Sequence, residues 1–188
     1  WQYSTGENVV VAVIDTGIDI DHLEFSGRIS PLSYNSVTET VGISQVDDDY
    51  GHGTMVSGVI LAEQNNDIGI SGVAPNATLM TIKANMPGEG MFDNNSLLNA
   101  IYYAVDYGAQ VINMSLAGPG YDTVMNDAME YAKSKGVIVV CAAGNDGAYL
   151  QLFPAGYDSA ISVSATDMNM DRASFSNLHK TVDITAPG

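Results

Sequence analysis

The chain is organised around Tyr50-Gly51-His52-Gly53-Thr54-Met55-Val56-Ser57-Gly58-Val59-Ile60-Leu61-Ala62. The apolar residues at 55, 56, 59 and 60 follow helical spacing, which predicts a helix with one buried face and His52 at or beside its first turn. Glycine at 51, 53 and 58 disfavours a helix, so we expect other backbone to pass close by. A lone histidine in an apolar helix is more often structural than functional, and a functional role needs support from elsewhere in the chain.

The composition is that of an acidic globular protein. Of the 188 residues, 46% are hydrophobic, which is enough to bury a core, and we predict one domain. No apolar run reaches membrane-spanning length, so we expect no membrane insertion. Twenty-two acidic residues against six basic ones give a formal charge of −16, which argues against nucleic acid as a partner. The single cysteine, Cys141, has apolar neighbours and is predicted to be a buried thiol.

Strands and helices are predicted to alternate along the chain. The predicted strands cover residues 9–14, 78–83, 111–114, 137–142, 160–165 and 182–185, and two further helices cover 96–107 and 122–135. Residues 18–49 show no regular pattern. This alternation indicates βαβ units and therefore the α/β class, with a mostly parallel sheet flanked by helices.

Three polar residues, Asp15, Ser115 and Asn145, each follow a predicted strand. In open parallel sheets, functional residues gather beyond the carboxyl ends of the strands. A buried Asp15 can orient the imidazole of His52, which can then act as a general base toward a hydroxyl nucleophile. The side-chain amide of Asn145 can donate to a developing oxyanion. The plainer alternatives are a capping carboxylate for Asp15 and a turn residue for Asn145.

Seven blocks of the sequence resemble the subtilisin-like serine peptidases. They are Ala12-Val-Ile-Asp15-Thr-Gly-Ile-Asp19, Gly51-His52-Gly53-Thr54-Met-Val56, Gly72-Val-Ala-Pro75, Val111-Ile-Asn-Met-Ser-Leu116, Ala142-Ala-Gly-Asn145, Ala173-Ser-Phe-Ser176 and Ala186-Pro-Gly188. The aspartate precedes the histidine, as in subtilisin. The resemblance implies an incomplete three-layer subtilisin-like fold. It also implies a secreted or cell-surface serine endopeptidase that acts on polypeptides by acyl transfer.

The resemblance assigns roles to individual residues. Asp15 would orient His52, His52 would be the base, and Asn145 would be the oxyanion donor. The substrate backbone would pair with Ser115, Leu116, Ala117 and Gly118, with residues 88–92 as the facing edge. The primary specificity pocket would include Ala142, Ala143 and Gly144.

The resemblance also implies a structural calcium ion. Its ligands would be Glu24, Gln64, Asn66, Ile68 and Ile70, the isoleucines through their carbonyl oxygens. Oxygen ligands on an irregular loop suit calcium. The alternative is that residues 64–69 form a plain polar turn.

The sequence departs from the family pattern at the nucleophile. In the family this serine lies in a Gly-Thr-Ser-Met-Ala block beyond Ala-Pro-Gly, and no such block occurs in residues 1–188. We therefore expect a partial peptidase domain over 1–188, short at the N-terminus and lacking the serine segment, and inactive by itself. A pro-domain or the remaining C-terminal segment would then be a partner.

Parts of the sequence also match three other functions. A non-catalytic pseudopeptidase or peptide-binding module on the same fold stays open, although loss of Asp15 or His52 would have favoured it and both are present. Asp15-Thr16-Gly17 also matches the aspartic peptidase signature, but that chemistry needs a second such block and none occurs. An EF-hand loop beginning at Asp15 fails because Ile20 stands at its glycine position.

Overall fold

The computed structural model describes residues 1–188. Its strands are β1 (Val10–Asp15), β2 (Tyr34–Asn35), β3 (Thr40–Val41), β4 (Thr78–Lys83), β5 (Val111–Met114), β6 (Ile138–Ala142), β7 (Ala160–Thr166) and β8 (Ile184–Pro187). Its helices are α1 (His52–Leu61), α2 (Asn94–Asp106) and α3 (Thr123–Ser134). Two compact units, Trp1–Ile112 and Asn113–Gly188, divide the chain. The organisation of residues 1–188 as one domain stays a prediction.

In the first unit the strand order is β3-β2-β4-β1. β1 and β4 are parallel, with Val10 opposite Thr78 and Asp15 opposite Lys83. β2 also runs parallel to β4, and only β3 is antiparallel to its neighbour. β1 is buried from Val11 onward, as its continuous β-branched run predicts for a strand covered on both faces. The register therefore places Asp15 at the buried carboxyl end of β1.

α1 begins at His52 as predicted, but the prediction of its buried face holds only for Val56 and Ile60, which pack against the core. Met55 and Val59 are 67% and 59% exposed, whereas the buried residues of the helix are Gly53, Ser57 and Leu61. The reason is the close approach of the helix to the backbone that follows β1. A Cβ at Gly53 would lie 2.3 Å from the carbonyl oxygen of Gly17, so this position of the first turn has no room for a side chain.

The other two glycines of this stretch do not face passing backbone. A Cβ at Gly58 or at Gly51 would meet no atom within 4 Å. Gly51 precedes the helix with φ of 100°, a left-handed conformation that glycine adopts without the steric cost of a side chain. The expectation of close backbone contact is therefore confirmed at Gly53 alone.

α2 begins two residues earlier than predicted because Asp93 caps it. The Asp93 carboxylate accepts a hydrogen bond from the Ser96 amide at 3.0 Å, the usual arrangement at a helix N-terminus. The helix buries Leu97, Ile101, Ala104 and Val105, the face that its periodicity predicts. Gly108, with φ of 92°, follows its end as expected.

In the second unit β6, β7 and β8 are parallel neighbours, and α3 packs against β6. Cys141 lies in β6 with 1% of its surface exposed, and this burial raises the pKa of its thiol. The prediction of a buried thiol is confirmed. Parallel strands connected through helices confirm the α/β class. None of the three helices has both the length and the apolar character needed to cross a bilayer.

The short strands β2 and β3 lie in residues 18–49, where the sequence shows no regular pattern. Each has two residues, too few for an alternation of apolar and polar side chains to appear. The structure therefore adds an edge to the sheet of the first unit that the sequence pattern does not indicate.

Candidate active site

Asp15 and His52 lie together in the first unit. Asp15 ends β1 and His52 begins α1, and the Nδ1 atom of His52 is 2.7 Å from the Oδ1 atom of Asp15. The Asp15 side chain is 1% exposed and the His52 side chain 41%. A buried carboxylate therefore holds one ring nitrogen of a half-exposed imidazole, while Nε2 makes no hydrogen bond in the structure. This arrangement leaves Nε2 available for proton transfer.

Thr16 links the two residues of this pair. Its amide donates to Asp15 Oδ1 at 2.7 Å, and its hydroxyl accepts a hydrogen bond from the Gly53 amide at 2.8 Å. The same residue thus supports the carboxylate and the first turn of the helix that carries His52. The second carboxylate oxygen, Asp15 Oδ2, is buried without a hydrogen-bond partner. An unsatisfied buried carboxylate oxygen favours a cation nearby, and the imidazole is the group that can supply it.

The electrostatic surroundings of His52 favour its protonated form. The hydrogen bond that His52 donates to Asp15 raises the pKa of His52 above its ordinary value, against the opposing effect of partial burial. The negative charges of Asp15 and Asp48 act in the same direction as the hydrogen bond. The site therefore stabilises the imidazolium that forms when a base takes a proton from a nucleophile.

Asp48 holds the start of α1. Its Oδ1 accepts from the amides of Tyr50 and Gly51, and its Oδ2 accepts from the amide and hydroxyl of Thr54. Burial alone would raise the pKa of Asp48, but these hydrogen bonds lower it below its ordinary value. A carboxylate at a helix N-terminus also interacts favourably with the positive end of the helix dipole. Asp48 thereby stabilises the first turn of α1 and helps to position His52, the first residue of the helix.

A second ion pair, between the buried Lys83 and the more exposed Asp49, adjoins the site and is not among the residues predicted from the sequence. Lys83 Nζ donates to the Thr16 carbonyl oxygen at 2.8 Å and to Asp49 Oδ1 at 2.6 Å. Asp49 Oδ2 accepts from the Gly88 amide at 2.9 Å. Burial would raise the pKa of Asp49, but Lys83, Asn85 and the Gly88 amide lower it to about 2. The signal in the sequence for this network is a lysine at the carboxyl end of a predicted strand, Lys83.

The second unit carries the residues expected to bind substrate. A cleft of about 420 Å³ is lined by Ser115–Gly118 together with Ala142, Gly144 and Asn145. Ala143 is 95% buried and lines a neighbouring cavity instead. The amide and carbonyl of Gly118 already bond to Phe153, at 2.8 and 2.9 Å. The backbone edge available to a ligand therefore ends at residue 117.

Asn145 is exposed at this cleft, and its side chain makes no hydrogen bond in the structure. It follows Gly144, which has φ of 106°. A free side-chain amide on the rim of a cleft can donate to an oxygen atom of a bound ligand.

Part of the predicted calcium site comes together in the first unit. The Glu24 side chain is buried, its Oε2 accepts from the Glu63 amide and from Asn66 Nδ2, and its Oε1 has no partner. A Cβ at Gly69 would lie 2.8 Å from Oε1, so loop 64–70 lies against the free oxygen. An orphaned carboxylate oxygen beside a polar loop fits a calcium ion. No cluster of three or more histidine, cysteine or acidic side chains suited to a metal occurs in the chain.

The comparisons with known proteins decide the family. The model of the subtilase family matches residues 6–188. The chain belongs to the subtilase family. A solved relative, described as a cold adapted subtilisin-like serine proteinase, superposes with a TM-score of 0.84 at 31% identity. It covers 98% of this subtilase and 64% of its own chain. The prediction of a subtilisin-like fold is confirmed.

Relatives of this subtilase extend well beyond the length it shares with them. The Thermophilic serine proteinase of Bacillus sp. (strain AK1) is 38% identical in an alignment 195 residues long that covers 100% of this chain and 46% of that relative. Thermitase of Thermoactinomyces vulgaris is 35% identical in an alignment of 194 that covers 100% of this chain and 66% of the relative. The Intracellular serine protease of Paenibacillus polymyxa is 37% identical in an alignment of 195 that covers 100% of this chain and 59% of the relative. This subtilase spans about half to two thirds of their length.

Proposed function

We propose that this subtilase supplies the acid, the base and the oxyanion donor of a serine endopeptidase. The observation that carries the proposal is the 2.7 Å hydrogen bond between a buried Asp15 and a half-exposed His52. The raised pKa of His52 supports it, because a base that must hold a proton during the reaction benefits from a neighbouring carboxylate. Membership of the subtilase family supports the same reaction class.

The chemistry follows from these groups. A serine hydroxyl attacks the carbonyl carbon of a peptide bond while its proton passes to His52 Nε2. Asp15 keeps the Nδ1 proton in place and stabilises the imidazolium. The Asn145 amide donates to the oxygen that becomes negative. The tetrahedral intermediate then collapses, the leaving amine takes the proton from Nε2, and water repeats the sequence to release the acyl group.

The substrate is a polypeptide in this proposal. Residues 115–117 present an unpaired backbone edge beside the cleft, which an extended peptide can join as an added strand. Small side chains at Ala142 and Gly144 leave room in the cleft for a substrate side chain. Residues 88–92 are proposed as the opposite edge.

The nucleophile is proposed to lie outside residues 1–188. Ser159, Ser162, Ser164, Ser174 and Ser176 lack the setting of the family's serine. An Asp–His pair without a serine retains only the residual rate that binding and the oxyanion donor give, about 10³–10⁴-fold over water. We therefore expect residues 1–188 alone to show no measurable turnover.

The test is hydrolysis of a fluorogenic peptide by a longer protein that includes this chain. Asp15→Asn and His52→Ala are expected to lower kcat by a factor on the order of 10⁴ or more. Hydrolysis that persists in His52→Ala would refute the proposal, and peptide binding without hydrolysis would favour the peptide-binding module instead. A non-catalytic variant of the surface, Asp47→Ala, serves as the control for lost negative charge.

Calcium is proposed as a structural ion at Glu24, Asn66 and the carbonyl oxygens of loop 64–70, with Gln64, Ile68 and Ile70 as the remaining predicted ligands. When bound, calcium would neutralise the Glu24 carboxylate and cross-link the loop to the segment after β1. The ion takes no part in the reaction.

We propose that the protein is secreted or lies on the cell surface. Its proposed partner is a pro-domain or the remaining C-terminal segment. A formal charge of −16 suits a protein that meets calcium outside the cell. One relative is named an intracellular protease, so the family does not decide the location. Fractionation of cells that produce the full protein, with activity measured in each fraction, tests this proposal.

A further inference from the structure

Asn177 is a fully buried polar residue that follows the Ala173–Ser176 block, with 0% of its surface exposed. Its Oδ1 accepts hydrogen bonds from the amides of Asp146 and Ala148, at 2.9 and 3.3 Å. Its Nδ2 donates to Asp146 Oδ2 at 3.0 Å, and its own amide donates to the Gly144 carbonyl at 2.9 Å. One buried side chain and its amide therefore bind the segment 144–148 at four points.

These hydrogen bonds bracket Asn145. They involve Gly144 on one side of it and Asp146 on the other, whereas the Asn145 side chain itself is exposed and unbonded. The direction in which Asn145 points is therefore set by its neighbours rather than by contacts of its own. A Cβ at Gly144 would lie 2.5 Å from Asn177 Nδ2, so the close fit of the two residues excludes any side chain at position 144.

We propose that Asn177 is a positioning residue that holds the segment 144–148 so that the Asn145 amide is aligned with the developing oxyanion. The proposal rests on the proposed function, since it assigns Asn145 the role of oxyanion donor. Stabilisation of an oxyanion depends on a donor that is already oriented before the reaction. An exposed side chain on a loose turn would lose this benefit. Asn177 acts through the turn and does not touch the substrate.

The decisive variants exchange the two partners of one hydrogen bond. Asn177→Asp keeps the Oδ1 acceptor but places a second carboxylate about 3 Å from that of Asp146, where like charges repel. Adding Asp146→Asn restores a donor–acceptor pair with the roles exchanged. Asp146→Asn alone is the reference, because Asn177 can still donate to its side-chain oxygen.

The measurement is kcat and KM for a peptide in the longer protein, normalised to active sites titrated with a fluorophosphonate. Loss of a whole oxyanion donor costs about 10²–10³ in kcat, a figure that comes from subtilisin, a member of this family. We expect Asn177→Asp to lower kcat by about 10–100-fold, less than the loss of a whole donor, because the Asn145 amide is misaligned but still present. Little change in KM is expected. The double variant is expected to regain most of the lost kcat.

Three results would overturn the proposal. These are an unchanged kcat in Asn177→Asp, a kcat that the double variant does not recover, and a rise in KM with kcat preserved. The proposed function is tested separately by His52→Ala in the same assay, since hydrolysis that survives this change refutes the peptidase itself. Amide hydrogen exchange at Asp146 and Ala148 gives a readout without activity. Faster exchange at these amides in Asn177→Ala is expected, and unchanged exchange would also count against the proposal.

Discussion

Replacing Asp49 with alanine would leave the Lys83 ammonium group buried, with only the Thr16 carbonyl oxygen as a partner. The Lys83 side chain is 9% exposed and that of Asp49 is 38% exposed. Removing one member of a fully buried ion pair costs about 3–5 kcal/mol. Because water screens the more exposed Asp49, we expect a smaller loss of about 2 kcal/mol in the free energy of unfolding. For a chain of this size the melting temperature would fall by about 4–8 °C.

Thermal unfolding followed by circular dichroism measures this loss. The matched control is Asp47→Ala, which removes the same charge from the same loop but involves an exposed side chain. A surface change of this kind alters stability by less than about 0.5 kcal/mol. Equal melting temperatures for the two variants at pH 7 would refute the role assigned to the Lys83–Asp49 pair.

The pH dependence gives a second check on the same pair. The pKa of Asp49 is about 2 in the fold, below its ordinary value of 3.8. A carboxyl group with a lowered pKa contributes stability above its unfolded pKa and loses it as the pH falls through its folded pKa. The difference in the free energy of unfolding between the wild type and Asp49→Ala should therefore be constant above about pH 5 and shrink between about pH 4 and 2. A difference in the free energy of unfolding that stays constant down to pH 2 would contradict a stabilising role for the Asp49 carboxylate.

Three further predictions concern the glycines of α1, the calcium site and the catalytic base. Gly53→Ala should destabilise the fold by about 1–3 kcal/mol, because its Cβ overlaps with the backbone after β1. Gly58→Ala has open space around it and should stabilise the fold by up to about 1 kcal/mol. Urea unfolding midpoints equal to that of the wild type would contradict both predictions. Glu24→Gln should lower the melting temperature in calcium buffer and have a smaller effect in EDTA, and an equal effect in both would exclude calcium at this carboxylate. The pH profile of kcat/KM should rise with deprotonation of His52 at a pKa above its ordinary value of 6.5, and Asp15→Asn should move that rise to lower pH.

The strands next to the site are the part of the fold that the sequence predicted well. β4 and β5 have the predicted bounds, and β1 is displaced by a single residue. The continuous apolar run of β1 is typical of a buried parallel strand. The start of α1 at His52 was also predicted correctly. The exposure of Met55 and Val59 was not, since apolar spacing shows which residues share a side of the helix but not that Gly53 packs against the backbone after β1.

Only part of the candidate site could be predicted from the sequence, for a related physical reason. Asp15, His52 and Asn145 lie in short local motifs, which can be found by inspection. The Lys83–Asp49 pair joins residues 34 positions apart in sequence, and Asn177 lies 31 positions from Asp146. No local pattern encodes such pairings, because they depend on where the fold brings distant segments.

Asp15 and His52 are proposed to activate a serine that lies outside residues 1–188. The most direct test is labelling with a fluorophosphonate probe of a longer protein that includes this chain, followed by mass spectrometry of the labelled peptide. We expect one labelled serine beyond residue 188 and loss of labelling in His52→Ala. Labelling of a serine within residues 1–188, or no labelling in a folded protein that binds peptides, would contradict this proposal.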